Sequence, residues 1–130
     1  NVVSELFKVP PSENVSRFAD AVEDQSFISV VTLAEIRFGI AALGQGRRRE
    51  ARERWLDIDL TIRFDDRILD IDPATARAWG DLMALSQRIG ANIQAMDGMI
   101  AATAAAHDLT LVTRNVRDFA RLGLRLLNPW

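Results

Sequence analysis

Segments rich in β-branched residues alternate with segments of helical periodicity along this chain, and that alternation limits the fold more than any other feature. Strands are predicted over residues 26–31, 68–72, 109–113 and 124–127. Helices are predicted over residues 12–23, 32–43, 47–60, 73–90 and 95–107. Such alternation is typical of an α/β fold with a mostly parallel sheet. Ligands of these sheets bind beyond the carboxyl ends of the strands, so the residues that follow each strand are the first candidates for a functional site.

The length of 130 residues suits one domain, and we expect a single domain over residues 1–130. Cysteine is absent, which excludes disulfides, thiolate metal sites and cysteine nucleophiles. No apolar run reaches the roughly 18 residues that a membrane span needs. No secretory signal precedes the first structured segment. We therefore expect a cytoplasmic protein that does not associate with membranes.

The net charge of -2 gives no general attraction to nucleic acid. Arginine is concentrated in two places, one within 47–54 and one within 114–121. The guanidinium group suits phosphate. In the first cluster, however, Glu50 and Glu53 are interleaved with the arginines, which favours an ordinary solvated helix face. Charge alone does not predict a nuclease.

Three acidic residues occupy positions that follow predicted strands or begin helices: Glu35, Asp97 and Asp118. Mg²⁺ and Mn²⁺ prefer carboxylate oxygens and water, and they keep several waters that substrate phosphates can replace. Carboxylates gathered at strand ends would therefore form a metal site for phosphoryl transfer.

Each of these acids also has a purely structural interpretation. Glu35 could complete a capping box with Thr32. Asp97 could complement the dipole of its helix, although its neighbours look buried and a buried carboxylate needs a partner. Asp118 could be a turn residue. His107, the single histidine, lies at a predicted helix end, which favours a role in ending the helix over catalysis.

Several motifs in a fixed order resemble the VapC-type PIN-domain toxins, in particular their FitB-like branch. The first is the strand-helix segment from Phe27 to Gly39. The second is the helix that contains Asp97-Gly98-Met99-Ile100-Ala101-Ala102-Thr103-Ala104. The third runs from His107 through Thr113-Arg114-Asn115 to Asp118-Phe119, and Asn128-Pro129-Trp130 matches the usual ending. The resemblance covers nearly the whole chain.

The resemblance implies a PIN domain with three α/β/α layers around a mostly parallel central sheet. It implies a Mg²⁺- or Mn²⁺-dependent endoribonuclease, the toxin of a type II toxin–antitoxin pair, that hydrolyses RNA phosphodiesters. Glu35, Asp97 and Asp118 would be the catalytic metal ligands, although some relatives place the last acid where this chain has Asn115. Asn1, Thr113, Arg114 and Asn115 would contact the substrate. The implied partners are a VapB-type antitoxin, the RNA and a second copy of the chain in a homodimer.

One departure leaves an alternative open. The family pattern opens with an apolar strand that ends in Asp-Thr-Asn, and this chain begins at the Asn, so the first strand and its metal-binding Asp are expected to be missing from the sequence as it stands. A PIN-fold binding module without catalysis is therefore the second hypothesis. A Mg²⁺-dependent phosphatase is a weaker third, because Asp70 and Asp72 lack the motif of a phosphatase nucleophile.

Overall fold

The computed structural model describes all 130 residues, which divide into two compact units. The small unit is Ser26–Asp70, and the large unit combines Asn1–Gln25 with Ile71–Trp130. The prediction of one domain over residues 1–130 stays a prediction. No helix is long and apolar enough to cross a membrane.

The helices and strands follow one another along the chain as the alternation predicts. In chain order they are α1 Val2–Leu6, α2 Glu13–Val22, β1 Ile28–Ser29, α3 Val30–Ala41, α4 Arg47–Arg54, α5 Thr61–Phe64, β2 Ile68–Leu69, α6 Pro73–Arg88, α7 Ala95–Ala106, β3 Leu111–Val112, α8 Val116–Phe119 and β4 Leu126–Leu127. Single 3₁₀ turns at Glu23–Gln25 and Asp65–Arg67 and a π-helical turn at Trp55–Leu60 complete the list.

The four strands form two parallel pairs, β1 with β2 in the small unit and β3 with β4 in the large unit. The predicted parallel pairing is thus confirmed. Each strand has only two residues in the ladder, fewer than the four to six that the apolar runs predict. The two pairs are separate two-stranded sheets.

Helices α6 and α7 form the core of the large unit together with the residues around β3 and α8. The buried cluster comprises Leu82, Ile93, Ala101, Ala104, Leu111, Phe119 and Leu122. The α6–α7 contact depends on Gly98: a Cβ atom there would lie 2.5 Å from the Met83 sulfur and 3.4 Å from the Trp79 indole nitrogen. The indole N–H of Trp79 donates to the Ala95 carbonyl at 3.2 Å and joins the two helices at this point.

The start of α6 is as predicted. Asp72 is the N-cap, its carboxylate accepts the Thr75 N–H at 2.7 Å, and Pro73 occupies the first turn. The Thr75 backbone N–H is the main reason that the pKa of Asp72 lies below its ordinary value of 3.8.

In the small unit, α3 begins two residues earlier than predicted. Ser29 is its N-cap, and the Ser29 hydroxyl accepts the Val31 N–H at 3.2 Å. Thr32 therefore lies inside the helix, and the predicted capping box of Thr32 with Glu35 is wrong. A side chain that accepts an N–H bond at the first turn satisfies a donor that the helix itself leaves unpaired, and Ser29 already does so.

The segment predicted as a single helix over residues 47–60 changes its winding at Trp55. The π-helical turn brings Leu56 and Leu60 into the core, where they are 6% and 2% exposed. Helical periodicity over residues 47–60 predicts that Ile58 faces inward with Trp55 and Leu56, and this prediction is wrong because the side chain is 49% exposed. A π turn widens the winding, so a residue placed inward by the α-helical period of 3.6 rotates out of register.

Candidate active site

A hydrogen-bonded group of polar residues lies at the carboxyl end of β3 in the large unit. The buried Thr113 hydroxyl accepts the Asn1 side-chain amide at 3.2 Å and the Asn115 backbone N–H at 3.0 Å. The side-chain oxygen of Asn1 accepts the Arg114 backbone N–H at 3.3 Å. The structure thus brings together the four residues predicted to contact a substrate, which we call the β3-end group. Their role in binding a substrate stays a prediction.

The pairing of β3 with β4 explains where this group lies. The Leu111 N–H donates to the Arg125 carbonyl at 2.8 Å, and the Thr113 N–H donates to the Leu127 carbonyl at 2.9 Å. Because parallel strands end at the same edge, the residues after β3 and those after β4 emerge side by side. The guanidinium carbon of Arg114 accordingly lies 5.4 Å from the centre of the Trp130 ring.

Helix α1 carries Asn1 at its N-cap and is held by a buried acid. Glu5 is the single charged residue among the buried ones, and its carboxylate binds the Lys8 ammonium at 2.6 Å and the Ser12 backbone N–H at 3.3 Å. The bond from Lys8 holds the pKa of Glu5 below its ordinary value of 4.5, and the charge of Arg114 contributes in the same direction. These contacts favour the ionised form of Glu5, whose charge interacts with that of Arg114 in the β3-end group.

Two of the predicted metal ligands, Asp97 and Asp118, belong to the large unit. Asp97 is half-buried in the first turn of α7, directly before Gly98. Asp118 is exposed in the four-residue helix α8, and its backbone N–H donates to the Asn115 carbonyl at 3.2 Å. Both are at helix starts, where the partial positive charge of the backbone favours ionised carboxylates.

The third predicted ligand, Glu35, belongs to the small unit, where it is exposed in the second turn of α3. A cleft of about 440 Å³ lies along the same helix and is lined by Leu33, Ala34, Arg37, Leu56, Asp57 and Thr61. Arg37 pairs there with Glu53 at 3.5 Å and Asp57 at 3.9 Å. None of the predicted site residues lines this cleft.

The structure contains no cluster of three or more acidic or histidine side chains placed to hold a metal ion. The donor chemistry of the large unit nevertheless suits a hard cation, since Asp97, Asp118 and the amide and hydroxyl groups near Thr113 all offer oxygen. His107 is the C-cap of α7 and is exposed, as expected for a residue that ends a helix.

The interpretation of the Arg47–Arg54 helix as a solvated face stays a prediction, and Arg49 forms an ion pair there although it is only 22% exposed. Its guanidinium binds Glu53 at 3.0 Å, one turn further along the same helix.

Reasoning from the sequence missed two residues beside the β3-end group. Glu5 gave no signal, because a lone acid within the short segment before Pro10 looks like an ordinary surface residue. Trp130 enters the sequence argument only as part of the Asn128-Pro129-Trp130 ending, which gives it no role. The parallel β3–β4 pairing is the signal that could have placed it, since it brings the residues that follow both strands to one edge.

Known proteins match this chain over its whole length. The PIN domain family matches residues 1–124. The chain is similar to VapC ribonuclease Y4jK of Sinorhizobium fredii, with 38% identity over 131 residues that cover 100% of this chain and 94% of the relative.

Solved structures agree with the family match. The crystal structure of FitAcB from Neisseria gonorrhoeae matches with a TM-score of 0.92 and 33% identity, over 100% of this chain and 94% of that chain. A Mycobacterium tuberculosis structure, VapBC-5, is described as a member of the VapBC family of toxin–antitoxin systems; it matches with a TM-score of 0.61 and 31% identity over 77% of each chain. The predicted α/β PIN fold is therefore confirmed, and this chain belongs to the PIN domain family.

Proposed function

We propose that this protein is a metal-dependent endoribonuclease toxin that hydrolyses RNA phosphodiesters. The observation that carries the proposal is the β3-end group, in which side chains from residues 112 positions apart in sequence meet at a strand end. The edge beyond strand ends is where α/β folds bind ligands. The ribonuclease named among the relatives supports the assignment to RNA hydrolysis.

We assign the metal, Mg²⁺ or Mn²⁺, to Asp97 and Asp118 in the large unit, with Asn115 as the alternative to Asp118. The assignment of Glu35 rests on the sequence motif alone. When bound, such an ion supplies an activated water and neutralises charge on the phosphate. The oxygen donors of these residues fit that ion chemically.

The residues of the β3-end group have tasks that follow from their bonds. The Thr113 hydroxyl accepts two N–H bonds, which leaves its own proton to donate to a substrate oxygen. Asn1 uses its side-chain oxygen to fix the Arg114 backbone. The exposed Arg114 guanidinium is then available to bind a phosphate oxygen of the RNA.

The proposal includes a VapB-type antitoxin and a homodimer. The toxin–antitoxin description of the VapBC-5 structure supports the first. Exposed apolar side chains on the small unit, Phe38 at 77% and Ile62 at 72%, support a partner surface there, because exposed apolar groups often mark interfaces. A cytoplasmic location is part of the same proposal.

The decisive experiment measures cleavage of total cellular RNA by the purified, partner-free protein in Mn²⁺. The test variant is Asp97→Asn, and the matched control is Asp81→Asn, an exposed aspartate of α6 that loses the same charge. We expect Asp97→Asn to lower the cleavage rate by at least about 100-fold, since even partners of metal ligands typically contribute 10–100-fold. EDTA should abolish cleavage by the parent protein.

Full activity of Asp97→Asn would show that Asp97 is not a metal ligand. Absence of cleavage by the folded parent protein, together with absence of Mn²⁺ binding by calorimetry, would contradict the ribonuclease proposal and favour a non-catalytic binding module.

A further inference from the structure

Arg114 differs from several other arginines of this protein in the kind of group that holds its side chain. Arg17, Arg49 and Arg125 each bind a carboxylate, at 2.9, 3.0 and 2.8 Å. The Arg114 guanidinium instead lies over the Trp130 ring, 5.4 Å from its centre. A bonded carboxylate occupies the N–H groups of an arginine, whereas an aromatic ring orients the guanidinium without occupying them. The Glu5 carboxylate attracts Arg114 through its charge, but no ion pair joins the two side chains.

The position of Trp130 is itself fixed by the fold. The β3–β4 bond from the Thr113 N–H to the Leu127 carbonyl brings the segment after β4 beside Arg114. The Asn128 side-chain oxygen then accepts the Trp130 backbone N–H at 3.0 Å and turns the chain so that the ring reaches the guanidinium. The half-buried indole is thus a supported surface rather than a free side chain.

Arg114 is held at both ends. Its backbone N–H donates to Asn1 at 3.3 Å, and its guanidinium rests on Trp130. A long side chain that is already ordered loses less conformational entropy when it binds a ligand. An ordered, exposed guanidinium at the edge of a sheet is suited to bind a phosphate group.

We propose that Trp130 is a positioning residue that holds Arg114 ready to bind a phosphate of single-stranded RNA. The inference rests on the proposed ribonuclease function and adds a residue to it. Trp130 acts through Arg114 and not through a contact of its own with the RNA. Loss of the ring should therefore weaken RNA binding only while Arg114 is present.

A double-mutant cycle of RNA binding tests this. The probe is a fluorescein-labelled single-stranded RNA of random sequence, the background is Asp97→Asn with EDTA so that no cleavage occurs, and the readout is fluorescence anisotropy over a salt series. The variants are Trp130→Leu, Arg114→Gln and the two combined. Arg125→Gln is the matched control, an exposed arginine of the same unit that binds Asp108.

We expect Trp130→Leu to weaken binding about two- to fivefold, as the loss of an exposed cation–π contact predicts. Arg114→Gln should weaken binding further and lower the slope of log K against log salt by about 0.7, the value for one phosphate contact on a single strand. Adding Trp130→Leu to Arg114→Gln should have no further effect. Arg125→Gln should bind like the parent.

Trp130→Phe distinguishes positioning from folding. It keeps a ring for the guanidinium, so we expect binding close to that of the parent, and thermal unfolding of each variant reports any loss of fold. Equal weakening by Trp130→Leu with and without Arg114 would overturn the proposal and indicate that the indole contacts RNA itself. Unchanged binding by Trp130→Leu would also overturn it. Failure of the Asp97→Asn protein to bind RNA both in EDTA and in Mn²⁺ would instead contradict the ribonuclease function.

Discussion

The two parallel strand pairs each place a buried hydroxyl at the end of a strand, yet the two hydroxyls do different things. Ser29, at the end of β1, is 5% exposed and accepts the Val31 N–H, two residues further on. Thr113, just after β3, is 4% exposed and accepts the amide of Asn1, 112 positions away. The first bond starts a helix, and the second joins distant parts of the chain.

The difference shows what turns a strand end into a candidate site. At β1 the Ser29 hydroxyl caps α3, and the strand leads directly into that helix. At β3 three residues separate the strand from α8, and Thr113 organises them together with Asn1. The rule that ligands bind beyond strand ends therefore applies where the polar side chains are not already needed as helix caps.

Of the changes that test this comparison, the largest effect is expected from Thr113→Val, which keeps the shape of the side chain and removes its hydroxyl. Asn1 and the Asn115 N–H both lose their acceptor, at about 0.5–1.5 kcal/mol of unfolding free energy for each bond. The β3-end group should come apart, and we expect RNA cleavage to fall at least tenfold. Urea unfolding and cleavage assays measure the two effects, with Thr113→Ser as the control that keeps the hydroxyl. Equal activity of the Val and Ser variants would show that the Thr113 hydroxyl has no role in the site.

A smaller effect on stability, and none on chemistry, is expected from Ser29→Ala. Loss of this N-cap should lower the free energy of unfolding by about 1 kcal/mol. Cleavage per folded molecule should stay within a factor of about two of the parent, because the bond from Val31 to Ser29 lies at the start of α3 and involves no residue of the β3-end group. Urea unfolding and a cleavage assay corrected for folded fraction test this. A large loss of cleavage would show that the Ser29 hydroxyl, like that of Thr113, supports the candidate site.

The smallest effect concerns Glu5, whose charge interacts with that of Arg114 in the β3-end group. Its pKa in the folded protein is below the ordinary value of 4.5, so its contribution to stability is complete above pH 4.5 and is lost as the pH falls through the folded-state pKa. Glu5→Gln should therefore flatten the decline of stability on acidification below pH 4.5. Urea midpoints at neutral pH and below pH 4.5 measure it, and parallel declines for parent and variant would show that Glu5 does not contribute.

Much of the architecture follows from local sequence signals. The start of α6 is specified by Asp72 and Pro73, because capping and a fixed φ angle act within one turn. The end of α7 at His107 is likewise specified by the local sequence. Parallel pairing follows from the alternation of strands and helices, which needs no knowledge of side-chain contacts.

The sequence was less informative where a local signal was ambiguous. Ser29 lies within a β-branched run that predicts one strand over residues 26–31, so the sequence does not indicate that Ser29 is the N-cap of α3. The π-helical turn at Trp55–Leu60 changes the period on which the inward position of Ile58 was predicted. Neither the Ser29 cap nor the π-helical turn gives its segment a composition from which it could be predicted.

The candidate site could be predicted from the sequence only in part. The β3-end group was expected from family resemblance, and its bonds join residues so distant in sequence that no periodicity connects them. The contact of Trp130 with Arg114 depends on the register of β3 with β4, which a two-residue strand does not reveal in advance.

The close packing at Gly98 has a consequence for how the toxin could be weakened. Asp97 directly precedes Gly98, the residue at which α7 packs against Met83 of α6. The position of the Asp97 carboxylate therefore depends on the spacing between these two helices. Changes at Met83, which is not among the candidate site residues, should therefore move the acid. A screen for variants that accumulate in the cell but have lost activity should recover substitutions on the face of α6 that packs against Gly98, as well as substitutions of Asp97 and Asp118.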